Sequence, residues 1–280
     1  QGLSDSIDVT GRLRKMPAEA GDPVAYALAV GDARIALNDL MGRKVRIDFE
    51  GVIRCIHCDR TTKKSFNQGF CYPCFRKLAA CDSCIMSPEK CHFHLGTCRE
   101  PEWGEANCMV EHVVYLANSS GLKVGITRGS QVPTRWIDQG AVTAIPMLRV
   151  SSRYLSGLVE VACKSHVADR TNWRAMLKGD VPELDLAQER QRILELIEDD
   201  LAQLRAEHGE DSIRIVDEAS LGLGYPVQVW PAKVKTHNLD KTPEVEGLLE
   251  GIKGQYLMLD TGVINIRKFT GYEVRFRVLD

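Results

Sequence analysis

The sequence predicts an α+β protein, and three observations carry that expectation. Apolar and polar residues alternate with period two near both ends of the chain, as half-buried strands do. The middle reads strand, turn, strand, helix, strand, helix over residues 113–167. Before it lies a stretch that holds nine of the ten cysteines, Cys55 to Cys108, and reads as a module of its own. With 280 residues, 44% of them hydrophobic, the chain can fill sizeable cores in two or three domains.

Taken in order, the first 20 residues are polar and aperiodic and read as a loose tail. Residues 24–30, 33–37 and 44–49 read as short strands, with turns at Asn38-Asp39 and Gly42. This N-terminal β segment, residues 1–52, buries too little surface to stand alone. The C-terminal β domain, residues 212–280, offers a partner. Strands are expected over 227–235, 245–249, 255–259, 263–267 and 272–279, with a hairpin turn at Asp260-Thr261-Gly262. The two ends are expected to pack together as a barrel or sandwich. Between them, residues 181–211 read as one acidic amphipathic helix. Leu186, Ile193, Ile197, Leu201 and Leu204 form its apolar stripe, and His208-Gly209 ends it.

The Cys-rich module, residues 53–110, carries the strongest chemical signal. Cys55/Cys58 and Cys71/Cys74 give C-x2-C-x12-C-x2-C, the spacing of a ribbon or treble-clef knuckle. Each C-x2-C turn brings two thiolates within reach of one tetrahedral ion, and four soft donors select zinc. A second set is expected from Cys81, Cys84, Cys91 and Cys98, with Cys108 and His94 as alternatives. Two zinc ions with complete ligand sets are structural rather than catalytic. A disulfide framework suits a small secreted domain, not a chain of this length. No apolar N-terminal stretch reads as a signal peptide, and no run is long enough to span a bilayer. A cytoplasmic zinc protein without a membrane partner is therefore expected. Cys163 sits in an apolar helical pattern and reads as packing.

Net charge is only −2, so no global field draws the chain to nucleic acid. The distribution is uneven. Residues 111–180 hold nine Lys/Arg against five acids, a net +4, whereas residues 182–211 hold ten acids against three arginines. A nucleic-acid face is compatible with the first of these. No Walker loop, Rossmann glycine pattern or Ser-His-Asp order stands out.

Residues 112–128 read His-Val-Val-Tyr-Leu-Ala-Asn-Ser-Ser-Gly-Leu-Lys-Val-Gly-Ile-Thr-Arg, two strands joined by a turn. A helix from Pro133, a strand over 141–150 and a helix over 154–167 follow. This segment, residues 111–180, resembles the GIY-YIG nuclease superfamily. Tyr115 stands where the GIY tyrosine would be, Gly125 at the YIG glycine, Arg135 at the helical arginine and Glu160 at the metal-binding carboxylate. Asn172 matches the asparagine that closes such domains. The pattern departs at Val113-Val114, and Lys123 replaces the YIG tyrosine, as in some branches of the superfamily. The resemblance implies a GIY-YIG-like three-stranded sheet with helices. It also implies a divalent-metal-dependent DNA or RNA phosphodiesterase. Tyr115 would act as phenolate or proton relay, with Lys123 lowering its pKa or touching phosphate. Arg135 would clamp phosphate, and Glu160 would hold Mg²⁺ or Mn²⁺.

The whole chain is also similar to an uncharacterised bacterial Cys-rich family, domain-of-unknown-function family 2797. Cys71-Tyr-Pro-Cys-Phe75, Gly96-Thr-Cys-Arg-Glu-Pro-Glu-Trp-Gly-Glu105 and Lys123-Val-Gly-Ile-Thr-Arg128 carry that similarity, with Arg135 to Ala141 and Gly251 to Leu257. It implies no activity. Two alternatives stand beside the nuclease: a non-catalytic nucleic-acid- or ribosome-binding protein, and a zinc-stapled protein–protein adaptor. Salt-sensitive binding to nucleic acid separates the first of these from the second.

Overall fold

The computed structural model describes residues 6–279. Two compact units make up the chain. Unit one comprises the chain up to Arg76, Leu177–Gly179 and the chain from Gly224 onward; unit two comprises Lys77–Met176 and Asp180–Leu223. The boundary thus runs through the Cys-rich stretch.

The chain starts with β1 (Asp8–Arg12), β2 (Ala18–Glu19), β3 (Ala25–Val30), β4 (Ala33–Ala36), β5 (Lys44–Arg54), β6 (Thr61–Thr62) and α1 (Tyr72–Lys77). It continues through α2 (Ser83–Met86), α3 (Pro101–Asn107), β7 (His112–Asn118), β8 (Leu122–Arg128) and α4 (Thr134–Asp138). Next come β9 (Thr143–Val150), α5 (Arg153–Lys164), α6 (Trp173–Lys178), α7 (Leu186–Leu196), α8 (Glu198–His208), β10 (Ile213–Ile215) and β11 (Leu221–Gly222). The chain closes with β12 (Glu244–Lys253), β13 (Tyr256–Leu259), β14 (Gly262–Asn265) and β15 (Tyr272–Val278).

Unit one is built on a sheet of order β1-β15-β5-β12-β13-β14, with the short β6 also on β5 and every pairing antiparallel. Strands from the two chain ends alternate in it. Val45 and Ile47 of β5 are buried, while Lys44, Arg46 and Asp48 point away from that core. A second sheet, β2-β3-β4, carries buried Tyr26, Leu28 and Val30.

Three expectations are corrected here. The first five residues of the expected tail lie outside the described residues, but residues 8–12 are a strand. Asp8 pairs with Arg275 at 2.7 Å, and Gly11 lies so close to Gly31 that a Cβ would come within 2.8 Å of its nitrogen. A polar edge strand carries little alternation, which hides it from pattern reading. Residues 227–235 are not a strand: Val227 makes one bridge, to Gly251, and Pro231 lacks the donor a ladder needs. The single acidic helix is two. Ile197 departs from helical geometry (φ −103°, ψ 11°), and Glu198, Asp199 and Asp200 open α8 where the helix dipole favours negative charge.

Unit two holds a sheet of order β10-β9-β7-β8, with β11 also on β9. The three expected strands are present and antiparallel, and β10 and β11 extend them. β7 is central and buried at all seven residues. Val114, Leu116, Leu148, Leu155, Val159 and Ile193 join β7, β9, α5 and α7 in one apolar core, and Cys163 packs there as expected. Ser152 caps α5 and Asp185 caps α7, each accepting from a backbone N–H of the first turn. Among the described residues no helix is long and apolar enough to cross a membrane.

Candidate functional site

The first cysteine quartet lies in unit one. Cys55 closes β5, and a tight turn with left-handed Asp59 (φ 64°) brings Cys58 back towards it. Asn67 and Gln68, also left-handed, make the turn before Cys71, and α1 carries Cys74. The sulfurs of Cys55, Cys58, Cys71 and Cys74 all lie within 4.8 Å of one another, and Cys58 and Cys71 stand 3.6 Å apart. A tetrahedron of Zn–S bonds of about 2.3 Å has edges of about 3.8 Å, so the donor set fits one ion. Burial raises the Cys55 thiol, but N–H groups of Cys58, Cys71 and His57 outweigh it and bring the pKa down to about 6. Burial and the neighbouring Cys71, Cys58 and Cys55 push the Cys74 thiol the opposite way, so the four thiols do not ionise alike on their own. Arg12 of β1 pairs with Asp59 and donates to the Cys55 carbonyl at 3.2 Å, pinning the first turn.

The other cysteines of the stretch lie in unit two. A void of about 20 Å³ is lined by Cys84, Cys91, Cys98 and Cys108, with Asp82 and His92 also in its wall. Cys108, an expected alternative, is thus among them, and Cys81 is buried nearby without lining the void. His94 does not line it either; its ring lies 5.0 Å from that of Tyr154. Burial pushes the Cys84 thiol up to about 11, helped by Asp82, Cys91 and Cys108. Asp82, Cys84 and His92 also offer ligand atoms within 4.8 Å of one another. However, His92 Nε2 is hydrogen-bonded to Asp82 at 2.9 Å, and its Nδ1 to Thr97 at 2.7 Å.

A cleft of about 300 Å³ opens elsewhere in unit two. Lys123 on β8, Arg135 on α4 and Glu160 on α5 all line it. Tyr115 does not. Its side chain is fully buried, and its hydroxyl donates to Gln139 Oε1 at 2.8 Å, with Gln139 in the cleft wall. The ring packs against Gly125, where a Cβ would sit 2.4 Å from Cζ; only glycine fits. Burial pushes the Tyr115 pKa up to about 12, against the opposing pull of Arg135 and Gln139. The phenol therefore stays protonated at neutral pH. Arg135, rather than Lys123, is the cation that acts on it. Lys123 instead faces Asp169, whose pKa lies below the usual carboxylate range. There, burial opposes the shift and the Thr171 hydrogen bonds and Lys123 carry it.

Glu160 pairs with Lys164 at 3.6 Å. Burial raises its pKa and Glu89 adds to the rise, while Lys164 opposes it. Asn172 does not reach the cleft: it is exposed, and its side chain accepts from the N–H groups of Arg174 and Ala175 at the start of α6. Sequence reading missed Arg153, Lys164, Gln139 and Asp169 as lining groups. Arg153, Glu160 and Lys164 stand at i, i+7 and i+11 on α5, so helical periodicity alone places them on one stripe. Arg153 is tied down by donation from Nη2 to the Ile85 carbonyl at 2.5 Å, and its buried Nε has no protein partner.

Fold and site together define a mixed α+β protein with antiparallel sheets and a four-cysteine cluster of zinc-binding type. The chain belongs to the family described as "Protein of unknown function (DUF2797)", whose profile matches residues 42–274. No curated protein and no solved structure matches the chain.

Proposed function

We propose that this protein binds nucleic acid, receiving a phosphodiester in the unit-two cleft and hydrolysing it with a divalent ion. The observation that carries this reading is the lining. Lys123, Arg135, Arg153 and Lys164 face Glu160 and Asp169 across one cleft, four cations to two acids. A surplus of guanidinium and ammonium groups around a half-buried carboxylate suits a phosphate with its metal ion.

In this reading water attacks phosphorus and gives up a proton to solvent, the bond to the leaving oxygen breaks, that oxygen takes a proton from solvent, and Arg135 and Lys123 would offset the developing charge. Glu160 would hold Mg²⁺ or Mn²⁺, which would supply a Lewis acid for the phosphate oxygens. Tyr115, kept neutral by burial and outside the cleft lining, would act as a phenol that orders Gln139, not as a phenolate. The arrangement keeps the GIY-YIG-like order of residues, with two structural zinc ions bracing the chain. A second reading, binding without cleavage, is favoured by the Glu160–Lys164 pair, which already neutralises the carboxylate.

Labelled single- and double-stranded DNA and RNA, incubated with Mg²⁺ or Mn²⁺ and wild type, Glu160→Ala or Arg135→Ala, test both. Cleavage is expected, reduced about 100-fold or more in Glu160→Ala. Salt-sensitive retention without cleavage, weakened by Arg135→Ala, replaces the enzyme with a binder. Neither cleavage nor retention overturns the nucleic-acid reading and leaves the protein-docking adaptor.

A further inference from the structure

We infer that Cys84, Cys91, Cys98 and Cys108 form a second structural metal site, taking one Zn²⁺, and that this ion fixes one wall of the cleft. The inference deepens the two-ion reading above by naming the ligands. It holds whether or not the cleft cleaves nucleic acid.

The void that these four cysteines line has a volume of about 20 Å³. That is room for roughly one water-sized sphere, since about 10–15 Å³ admits a single one. A one-atom space whose wall holds four cysteines, beside Asp82 and His92, offers soft donors to a zinc ion. The four come from separate places in the chain. Cys84 lies in α2, Cys91 follows the 3-10 turn Pro88–Lys90, Cys98 follows the 3-10 turn Phe93–Leu95, and Cys108 caps α3. Gly104 lets α3 approach: a Cβ there would come within 3.3 Å of the Cys98 sulfur. Unlike the first quartet, these four sulfurs do not all lie within 4.8 Å of one another, so a bound ion would draw them together.

Apolar packing offers this stretch little. Between residues 83 and 108 the buried residues are Pro88, Gly104 and Cys108. A run of short turns with so small a core requires a cross-link. Asp82 and His92 are better read as braces than as ligands. Both imidazole nitrogens are already bonded, and Asp82 also accepts from the Ser83 N–H at 2.7 Å and faces Arg99 at 3.4 Å.

The ion would act on the cleft through short connections. Ile85 and Met86, next to Cys84, line the cleft. The Ile85 carbonyl accepts from Arg153, and the Cys108 carbonyl accepts from the Arg153 N–H at 2.8 Å. The Pro88-Glu89 turn lies on α5 at Gly157, where a Cβ would meet the Glu89 nitrogen at 2.4 Å. The metal thus holds the turn that holds the α5 stripe.

The test counts metal on the full chain. Zinc per chain is measured by elemental analysis and native mass spectrometry. Cobalt-substituted wild type is read in parallel by its sulfur-to-cobalt charge-transfer band, which needs no variant. Two ions per chain are expected for wild type, for Cys81→Ser and for His92→Ala, and one for Cys91→Ser/Cys98→Ser and for Cys108→Ser. One ion in wild type, with a cobalt band of one site's intensity, overturns the two-ion reading and this site with it. Two ions in wild type, with Cys81→Ser or His92→Ala losing one and Cys108→Ser losing none, keep two ions and overturn this ligand set.

Discussion

Residues 55–76 and the β7–β9 sheet are stabilised by opposite means. In the first, the buried residues are Cys55, Gly69, Cys71 and Cys74, so its interior is mostly sulfur. In the second, β7 is buried along its whole length, and Val114, Leu116 and Leu148 are packed into an apolar core. An apolar core forms in water without help. A sulfur core exists only when an ion neutralises and draws together its thiolates, so there metal binding is folding free energy. One chain thus combines a conditionally stable segment with an intrinsically stable one.

The largest expected effect tests that contrast directly. Chelation of zinc, or Cys71→Ser, is expected to remove on the order of 10 kcal/mol of metal-linked free energy from residues 55–76. Amide hydrogen exchange should speed up throughout 55–76 while β7 and β9 stay protected. Equal loss of protection in both regions would break the comparison.

Acid should act in the other direction, on the apolar unit. His112 is fully buried, and burial, with Arg153 and Arg128, pulls its pKa down to about 4, although donation from Nδ1 to the Val110 carbonyl opposes this. The unfolded chain, with an ordinary His pKa of about 6.5, binds the proton first. Stability is therefore intact above that value and is lost as pH falls from about 6.5 to about 4, by roughly 3 kcal/mol. Urea titrations of wild type and His112→Gln should differ in slope across that window. Parallel curves would remove His112 as the cause.

Next comes Gly125→Ala, which drives a methyl group into the Tyr115 ring and is expected to destabilise unit two by about 1–3 kcal/mol. Thermal melting measures it, and an unchanged midpoint would mean that the tyrosine can yield. The smallest effect is that of Tyr115→Phe, which removes the hydrogen bond to Gln139 and should lower stability by about 1 kcal/mol. If the same variant lowers cleavage far more than stability, the phenol does more than pack.

The degree to which these regions were legible follows from how local their signals are. The quartet reads off the chain because each knuckle is a four-residue pattern, C-x2-C, that forms by itself. The α+β class reads off equally well, since β5, β7 and β12 alternate or run apolar over many residues. The residues of the second cysteine set are spaced seven, seven and ten apart, without a repeating turn. Of the knuckle-like pair Cys81/Cys84, only Cys84 lines the void. The cleft was legible in part because Lys123, Arg135 and Glu160 hang on elements with clear periodicity. Its other lining groups, Arg153 and Lys164, share the helical stripe of Glu160 but carry no motif of their own. What defeats pattern reading is structure set by distant partners. β1 is a strand because β15 lies beside it, and Ile197 breaks the helix with no proline or glycine to announce it.

The alternation of early and late strands in unit one has a consequence for biosynthesis. β5 sits between β15 and β12, its partners on either side. During translation it leaves the ribosome more than two hundred residues before β15 is complete, a wait of roughly 10–45 s at about 5–20 residues per second. For most of that interval, until β12 is made, neither long partner of β5 is present, and a nascent strand with Val45, Ile47 and Ile53 exposed could pair with another copy. Its own sequence guards against this. Lys44, Arg46, Asp48 and Glu50 place a charge at every second position. They act as gatekeepers, making the orphan strand soluble until its native neighbours arrive.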